Sequence, residues 1–140
     1  MSDSPQASQE GSDEAIIRTL VGSLFRAENG KPDEGDAAPD DVLAQDYLPI
    51  TRKNGRRDES RQVTLDKIAN ASRSLTRHVD PKKIKVELFM EGRVAIAHTQ
   101  LPTTDPTRTP PDQEFSNMHV FLKRDGGWKC VAWQVTEVTD

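Results

Sequence analysis

Residues 115–136 read FSNMHVFLKRDGGWKCVAWQVT, and this stretch decides the fold. Apolar side chains recur at every second position on both sides of the DGG turn at 125–127, which is the period of a β-strand. Two adjacent glycines relieve the positive-φ requirement of a tight turn. The stretch therefore predicts a β-hairpin with strands over Phe115–Arg124 and Trp128–Thr136.

Pairing across a three-residue loop sorts this hairpin into two faces that are both apolar. One face is predicted to carry Asn117, His119, Phe121, Val131, Trp133 and Val135, and the other Met118, Val120, Leu122, Cys130 and Ala132. Helices from the first half of the chain can cover one face, so the other is expected to be buried against a second copy of the chain. The pattern thus predicts a homodimer.

A second hairpin is predicted just before this one. Residues 83–90 and 93–100 alternate in the same way around the Glu-Gly turn at 91–92. Residues 101–112 hold four prolines, which cannot sustain a sheet ladder, so a long exposed connection is expected there.

The first half of the chain has the period of helices instead. Apolar residues within 13–28 repeat at i, i+1, i+4, i+5, i+8 and i+9, which predicts an amphipathic helix. Shorter helices are expected over 40–45 and 65–77, and the polar segment 1–11 is expected to be a flexible tail before a single domain at 12–140. These elements predict an α+β fold in which N-terminal helices pack on the concave face of a curved antiparallel sheet.

Composition limits the classes of function. The one cysteine, Cys130, rules out an intrachain disulfide and makes a reducing, cytoplasmic setting the expectation. The net charge of −4 argues against a general nucleic-acid binder, although five cations within 52–61 leave open both a solvated loop and an anion contact. No apolar run approaches the ~18 residues of a membrane span, so neither nucleic acid nor membrane is an expected partner.

The order of elements and the ending KRDGGWKCVAWQ at 123–134 resemble the nuclear transport factor 2-like (NTF2-like) superfamily, and within it the DUF4440 and SnoaL-like branches. The resemblance covers residues 13–137. It implies a cone-shaped fold with a pocket between the first helix and the concave sheet face, and a dimer on the convex face. It is poorly specific for activity, because this scaffold carries isomerases, dehydratases, polyketide cyclases, association domains and transport adaptors.

The association domain of calcium/calmodulin-dependent kinase is also similar, around AIAHTQ at 95–100. Its pocket is lined by arginines, and the matching positions here are Gln100, His119 and Val135. The resemblance therefore does not imply an anion site of that arginine-lined type.

The pocket implied by this resemblance is expected to be lined by Phe25, Tyr47, His98, Gln100, Asn117, His119, Phe121 and Trp133. Two imidazoles in an apolar pocket are typical of general acid–base chemistry, because their ordinary pKa near 6.5 lies close to working pH. His98 and His119 are the candidate catalytic residues of a SnoaL-like cyclase, isomerase or dehydratase. Tyr47 is the candidate phenolic donor, with Asp46 and Glu114 as the nearest carboxylates for an isomerase base.

Two other interpretations stay open. The leading one is a binding domain that holds an unidentified small, largely apolar molecule without turnover, and the other is a dimeric interaction module whose cavity is filled by its own side chains. Neither a metal nor another cofactor is expected, because no short ligand motif such as HExxH and no phosphate-binding loop occurs.

Overall fold

The structure is a computed structural model that describes residues 5–48, 61–70 and 76–138, with side chains described from Gly11 onward. Within these ranges the helices are α1 (Pro5–Glu28), α2 (Pro39–Val42) and α3 (Arg61–Ala69), with a 3-10 turn at Pro81–Lys83. The strands are β1 (Leu43–Leu48), β2 (Thr76–Arg77), β3 (Lys85–Phe89), β4 (Val94–Thr104), β5 (Asp112–Arg124) and β6 (Gly127–Val138).

The six strands form one strongly curled sheet in the order β1-β6-β5-β4-β2, and β3 pairs with β4 on the same side as β2. β1 runs parallel to β6, whereas the other pairings are antiparallel. β3 pairs with Val94–His98, and β2 pairs with Thr103 and Thr104. The outer edge of β4 is therefore interrupted between two short strands, at residues 99–102.

Both predicted hairpins are confirmed, but the β5–β6 hairpin has a tighter turn than expected. Arg124 pairs with Gly127, which leaves a loop of two residues. Asp125 and Gly126 have φ angles of 49° and 80°, the positive values that two-residue hairpin turns favour because their twist matches that of the strands.

A β-bulge in β6 then restores the predicted pairing of His119 with Trp133. Phe121 pairs with Cys130, so Val131 is the extra residue on the β6 side. Cys130 consequently shares a face with Phe121, and its predicted position on the opposite face is wrong. Its side chain is fully buried, and burial raises the pKa of the thiol to about 12.

β4 and β5 both extend beyond their predicted ends. β4 runs to Thr104 and β5 begins at Asp112, so the expected connection over 101–112 shrinks to the residues between them. Pro102 is tolerated inside β4 because its carbonyl accepts the His78 amide at the sheet edge, where its missing N–H breaks no ladder.

α1 begins at Pro5, inside the segment predicted to be a tail. Gly11 and Ser12 are exposed, and among the described side chains the first buried one is Asp13. Packing on the sheet therefore starts where the sequence pattern places the start of the amphipathic helix.

The two short helices differ from the prediction. α2 ends at Val42 and the chain continues directly into β1, so the helix expected over 40–45 is wrong in its second half. α3 begins at Arg61, whose side chain donates to the backbone carbonyl of Ala44 at 2.9 Å. The other four predicted loop cations, between 52 and 57, lie outside the described residues.

The core lies between α1 and the concave face of the sheet. Fully buried side chains from both sides of this interface are Ile17, Val21, Leu24, Phe25, Ala95, Ala97 and Phe121. Burial of one large apolar side chain contributes about 1.5–3 kcal/mol before entropy is counted. The apolar stripe of α1 is therefore a main source of stability.

Two buried acidic side chains hold α1 on the sheet, one within its N-terminal half and one at its end. In the N-terminal half, Trp128 Nε1 donates to Asp13 Oδ1 at 3.1 Å, and Lys123 Nζ lies 3.3 Å from Asp13 Oδ2. At its end, Arg77 Nε donates to Glu28 Oε1 at 3.0 Å. These contacts fix the helix over the concave face.

Candidate functional site

Thr99, Asn117 and His119 form a buried polar set on the concave face. Thr99 pairs with Asn117 across β4 and β5, and His119 follows two residues later on the same face. Each side chain is at most 1% exposed, yet Thr99 Oγ1, Asn117 Nδ2 and both ring nitrogens of His119 have no hydrogen-bond partner among the described residues. Such an orphaned atom costs about 1–3 kcal/mol, so the set favours a hydrogen-bonding ligand.

One contact fixes the orientation of the Asn117 amide. Trp133 Nε1 lies 3.0 Å from Asn117 Oδ1. Because an indole nitrogen only donates, the atom it contacts must be the amide oxygen. The Asn117 NH2 group is therefore the end of the side chain that offers donors to a ligand.

Aromatic rings enclose the His119 imidazole. The ring centroid of Phe25 lies 5.5 Å away edge-on, that of Trp133 lies 4.5 Å away, and that of Phe121 lies 6.4 Å away. Burial, with a smaller contribution from the positive charge of Arg77, lowers the pKa of His119 to about 3. The imidazole is therefore neutral near pH 7, with one nitrogen that donates and one that accepts.

Arg77 extends this polar face, and the sequence pattern missed it. Its Nε and Nη2 donate to the Glu28 carboxylate at 3.0 and 3.3 Å, and its Nη1 donates to Thr103 Oγ1 at 3.1 Å. Asn29 binds the Arg77 backbone on both sides, accepting from its N–H at 2.7 Å and donating to its carbonyl at 2.9 Å. The sequence pattern predicts Arg77 at the end of a helix, and no strand-like alternation around it indicates that it lies in β2.

His98 and Gln100 lie on the opposite, convex face, so their predicted place beside His119 is wrong. His98 is exposed, with its Nε2 2.8 Å from Ser116 Oγ, and Gln100 is exposed and bonded to Glu114. The two imidazoles therefore do not share a cavity.

The reason lies beneath α1. The residues of β4 that face the helix are Ala95 and Ala97, both fully buried, followed by Thr99. Small side chains at these positions let the helix approach the sheet closely, and the alternating Ile96 and His98 point outward.

No protein-family model matches the sequence, and a search of curated proteins finds no match either. Among solved structures, an NTF2-like protein of unknown function from Pseudomonas putida superposes with a TM-score of 0.66 at 12% identity, over 93% of this chain and 89% of that one. The LinA-type3 hexachlorocyclohexane dehydrochlorinase from Novosphingobium barchaimii gives 0.66 at 12% identity, over 92% and 91%. The association domain of C. elegans CaMKII gives 0.61 at 12% identity, over 96% and 99%.

The chain has the NTF2-like fold. Element order, the curled mixed sheet and nearly complete coverage of both chains agree on this. Identities of 12% show the fold alone, so activity must be argued from the residues of this chain.

The remaining predicted pocket residues of this NTF2-like chain are in its core. Phe25, Tyr47, Phe121 and Trp133 are all buried, with Tyr47 on β1 at 7% exposure.

The carboxylates predicted as candidates for an isomerase base lie outside this buried core. Asp46 is exposed and binds Arg124 Nη1 at 2.7 Å, and this hydrogen bond lowers the pKa of Asp46.

The cavities bordered by the described residues include one beside α3 and one at the edge of the sheet. A cavity of about 750 Å³ lies between the end of α1, the 32–40 segment and α3. A cavity of about 460 Å³ lies at the edge of β4, where Thr99 is one of its lining residues. The second therefore borders Thr99, whose hydroxyl is itself fully buried.

The described residues contain neither a metal-binding cluster nor a helix able to span a membrane. No group of three His, Cys, Asp or Glu side chains there is arranged to hold a metal ion. Among the same residues, no helix combines the length and apolarity that a membrane span requires.

Proposed function

We propose that this protein binds a small molecule through the buried polar set on its concave face. The observation that carries the proposal is a group of four fully buried polar atoms, on neighbouring residues, that have no hydrogen-bond partner within the described part of the chain. Buried polar groups in proteins are almost always hydrogen-bonded to protein, ordered water or ligand. A ligand that forms hydrogen bonds with Thr99, Asn117 and His119 removes the free-energy cost of burying these polar atoms unpaired.

The chemistry of the set defines the ligand class. Asn117 offers a donor, neutral His119 offers one donor and one acceptor, and the Thr99 hydroxyl serves as either. Phe25 and Trp133 provide flat apolar walls beside these groups. The best complement is a small, planar and largely apolar molecule with one hydroxyl, amide or similar donor–acceptor group.

Proton transfer is less well supported than binding. A histidine with a pKa of about 3 is a weak base and stays unprotonated near pH 7, so it has no proton to give as imidazolium. Its predicted partner His98 is on the other face. Cyclase, isomerase or dehydratase chemistry therefore lacks the two-imidazole arrangement on which it was based.

We also propose that a second copy covers the convex face. Met118 and Phe89 are each 43% exposed there, and Ile96 and Val120 beside Met118 are half-buried. A contiguous apolar surface of this kind is typical of an interface. The similarity to an association domain supports assembly, and the wider proposal is a dimeric, cytoplasmic, single-domain protein of the DUF4440/SnoaL-like branch.

Native mass spectrometry of protein purified without denaturation tests the binding function. Wild type is compared with Asn117→Leu, which keeps the side-chain volume but removes the amide, and with Met118→Leu on the opposite face. We expect a retained small molecule in wild type and in Met118→Leu, and its loss in Asn117→Leu. The same spectra report copy number.

Identical spectra for the three proteins, with no retained mass in any, would contradict the proposal. It would mean that ordered water satisfies the buried polar set. A retained mass that survives in folded Asn117→Leu would place the ligand elsewhere.

A further inference from the structure

The cavity of about 750 Å³ beside α3 is separate from the buried polar set. Its lining comes from the end of α1, the 32–40 segment and α3, and the described residues that line it include none from the sheet. The volume lies within the range of ~300–1,000 Å³ that small-molecule sites occupy. The cavity is therefore a candidate for a second site, independent of the first.

One face of α3 forms a wall of this cavity. The residues that line it at the helical spacing i, i+3, i+4 and i+7 are Gln62, Leu65, Asp66 and Ala69. Small or aliphatic side chains make up most of the remaining lining, namely Ala27, Pro32, Ala37, Ala38, Pro39 and Ile68. The cavity therefore offers an apolar surface to the body of a ligand.

The charge of the lining has one sign. Within the described residues, the charged side chains that line the cavity are all aspartates, namely Asp33, Asp36, Asp40 and Asp66. Arg26 binds the Asp36 carboxylate with two hydrogen bonds, at 2.8 and 2.7 Å. Arg61 Nη2 donates to Asp40 Oδ1 at 2.8 Å. The carboxylates of Asp33 and Asp66 remain as a surplus of negative charge, which favours a cation.

Both surplus carboxylates can accept hydrogen bonds from a ligand. Asp33 Oδ2 lies 3.5 Å from Arg26 Nε, but that nitrogen gives its single proton to Asp36 at 2.8 Å. Asp66 Oδ1 accepts a side-chain amide of the same helix at 2.9 Å, and its Oδ2 has no hydrogen-bond or ion-pair partner within the described part of the chain. Asp66 follows Leu65 on the α3 wall, so a cation bound to its carboxylate has an apolar surface beside it.

We propose that this cavity binds a small primary amine with an apolar body. The ammonium group donates to the Asp66 carboxylate, and the charge of Asp33 adds to the attraction. The apolar body packs on Leu65 and Ala27. This inference goes beyond the proposed function, because it assigns a second site and a ligand of a different charge from the one that the buried polar set favours.

Two probes isolate the contribution of the charge. 2-Phenylethylamine and 2-phenylethanol share the ring and the chain, and only the amine is a cation near pH 7, as lysine is. Each is titrated into the ¹⁵N-labelled full chain and followed by amide NMR shifts. We expect the amine to shift the Leu65 and Ala69 amides without shifting the Trp133 indole N–H. It should bind about fivefold more tightly than the alcohol.

Asp66→Asn should remove this advantage and leave the affinity for the alcohol unchanged. The variant keeps the shape of the side chain and the contact of its oxygen with Gln62, but it lacks the charge. Asp33→Asn, in an exposed segment, should weaken amine binding by a smaller factor. Glu87→Gln makes an equal charge change on the convex side of β3 and is the matched control, which should change neither affinity.

Equal affinities of wild type for the two probes would overturn the inference, and so would an unaltered amine affinity in folded Asp66→Asn. A shift of the Trp133 indole N–H in place of the α3 amides would overturn it as well, because the amine would then lie beside the buried polar set. None of these results decides the proposed function, which is tested separately by the mass retained in wild type and lost in Asn117→Leu.

Discussion

His119 and Trp133 face each other across β5 and β6, with their ring centroids 4.5 Å apart. The contact closes the imidazole off from water on the β6 side, and Phe25 closes it on the α1 side. A ring in such surroundings is held neutral, because burial disfavours the charged form and the nearby positive charge of Arg77 adds to this effect. This neutral state links the stability of the protein to pH.

Acidification should destabilise the protein well above the range in which carboxylates titrate. The pKa of His119 is about 3 when folded and near 6.5 when unfolded, so between these values the unfolded chain binds the extra proton. The stabilising contribution is complete above pH 6.5 and is lost as pH falls toward 3. At pH 5 the loss is about 2 kcal/mol, measurable by urea denaturation at a series of pH values.

The control for this pH dependence is His119→Phe, which fills a similar volume without a titrating group. We expect its free energy of unfolding to be flat between pH 7 and 5.5 where that of wild type declines. Parallel curves for the two proteins would mean that His119 is already compensated in the folded state.

Replacing Thr99 with valine should stabilise the ligand-free protein. Valine has the shape of threonine but lacks the hydroxyl, and that hydroxyl has no partner among the described residues. Removing an orphaned buried group is worth about 1 kcal/mol, measured as a higher denaturation midpoint with an unchanged slope. Loss of stability in Thr99→Val would show that the hydroxyl is hydrogen-bonded, for example to retained water.

Breaking the buried ion pair at the end of α1 should be costly. The side chains of Arg77 and Glu28 are 5% and 10% exposed, so Glu28→Leu leaves a buried guanidinium without its partner. We expect a loss of about 3–5 kcal/mol in the free energy of unfolding. Much of this lost stability should return in the double variant Glu28→Leu/Arg77→Met, which removes both charges. If the effects of the two substitutions on the free energy of unfolding simply add, the two side chains do not form a direct pair.

The proposed dimer should depend on Met118. Met118→Lys places a charge in the centre of the exposed apolar surface on the convex face, where burial of an unpaired ammonium opposes association. Sedimentation velocity should show a dimer for wild type and a monomer for the variant at the same concentration. The control Thr19→Lys makes an equal charge change on the exposed side of α1 and should stay dimeric. A monomeric wild type would contradict the proposed dimer.

The sequence pattern predicts the β5–β6 hairpin well because local rules decide it. Strand period and two glycines define both strands. The His119–Trp133 pairing was predicted from a three-residue loop, and it holds because the bulge at Val131 compensates a loop that is one residue shorter. Cys130 was assigned to the wrong face for the same reason, since alternation alone does not reveal a bulge.

The prediction fails on β4 because both of its faces carry apolar residues. Ala95 and Ala97 face α1 and the larger Val94 and Ile96 face outward, so residue size misleads about direction. The prediction therefore placed His98 and Gln100 in the site instead of Thr99, the residue between them. Only the β4–β5 register, which no local pattern encodes, puts Thr99 opposite Asn117.

The two buried attachments of α1, at Asp13 and at Glu28, bear on how molecules exchange with the interior. The stretch between them spans ~22 Å, so lifting it would break both ion pairs. We therefore expect a ligand that binds beneath α1 to enter at the edge of the sheet and not through movement of this helix.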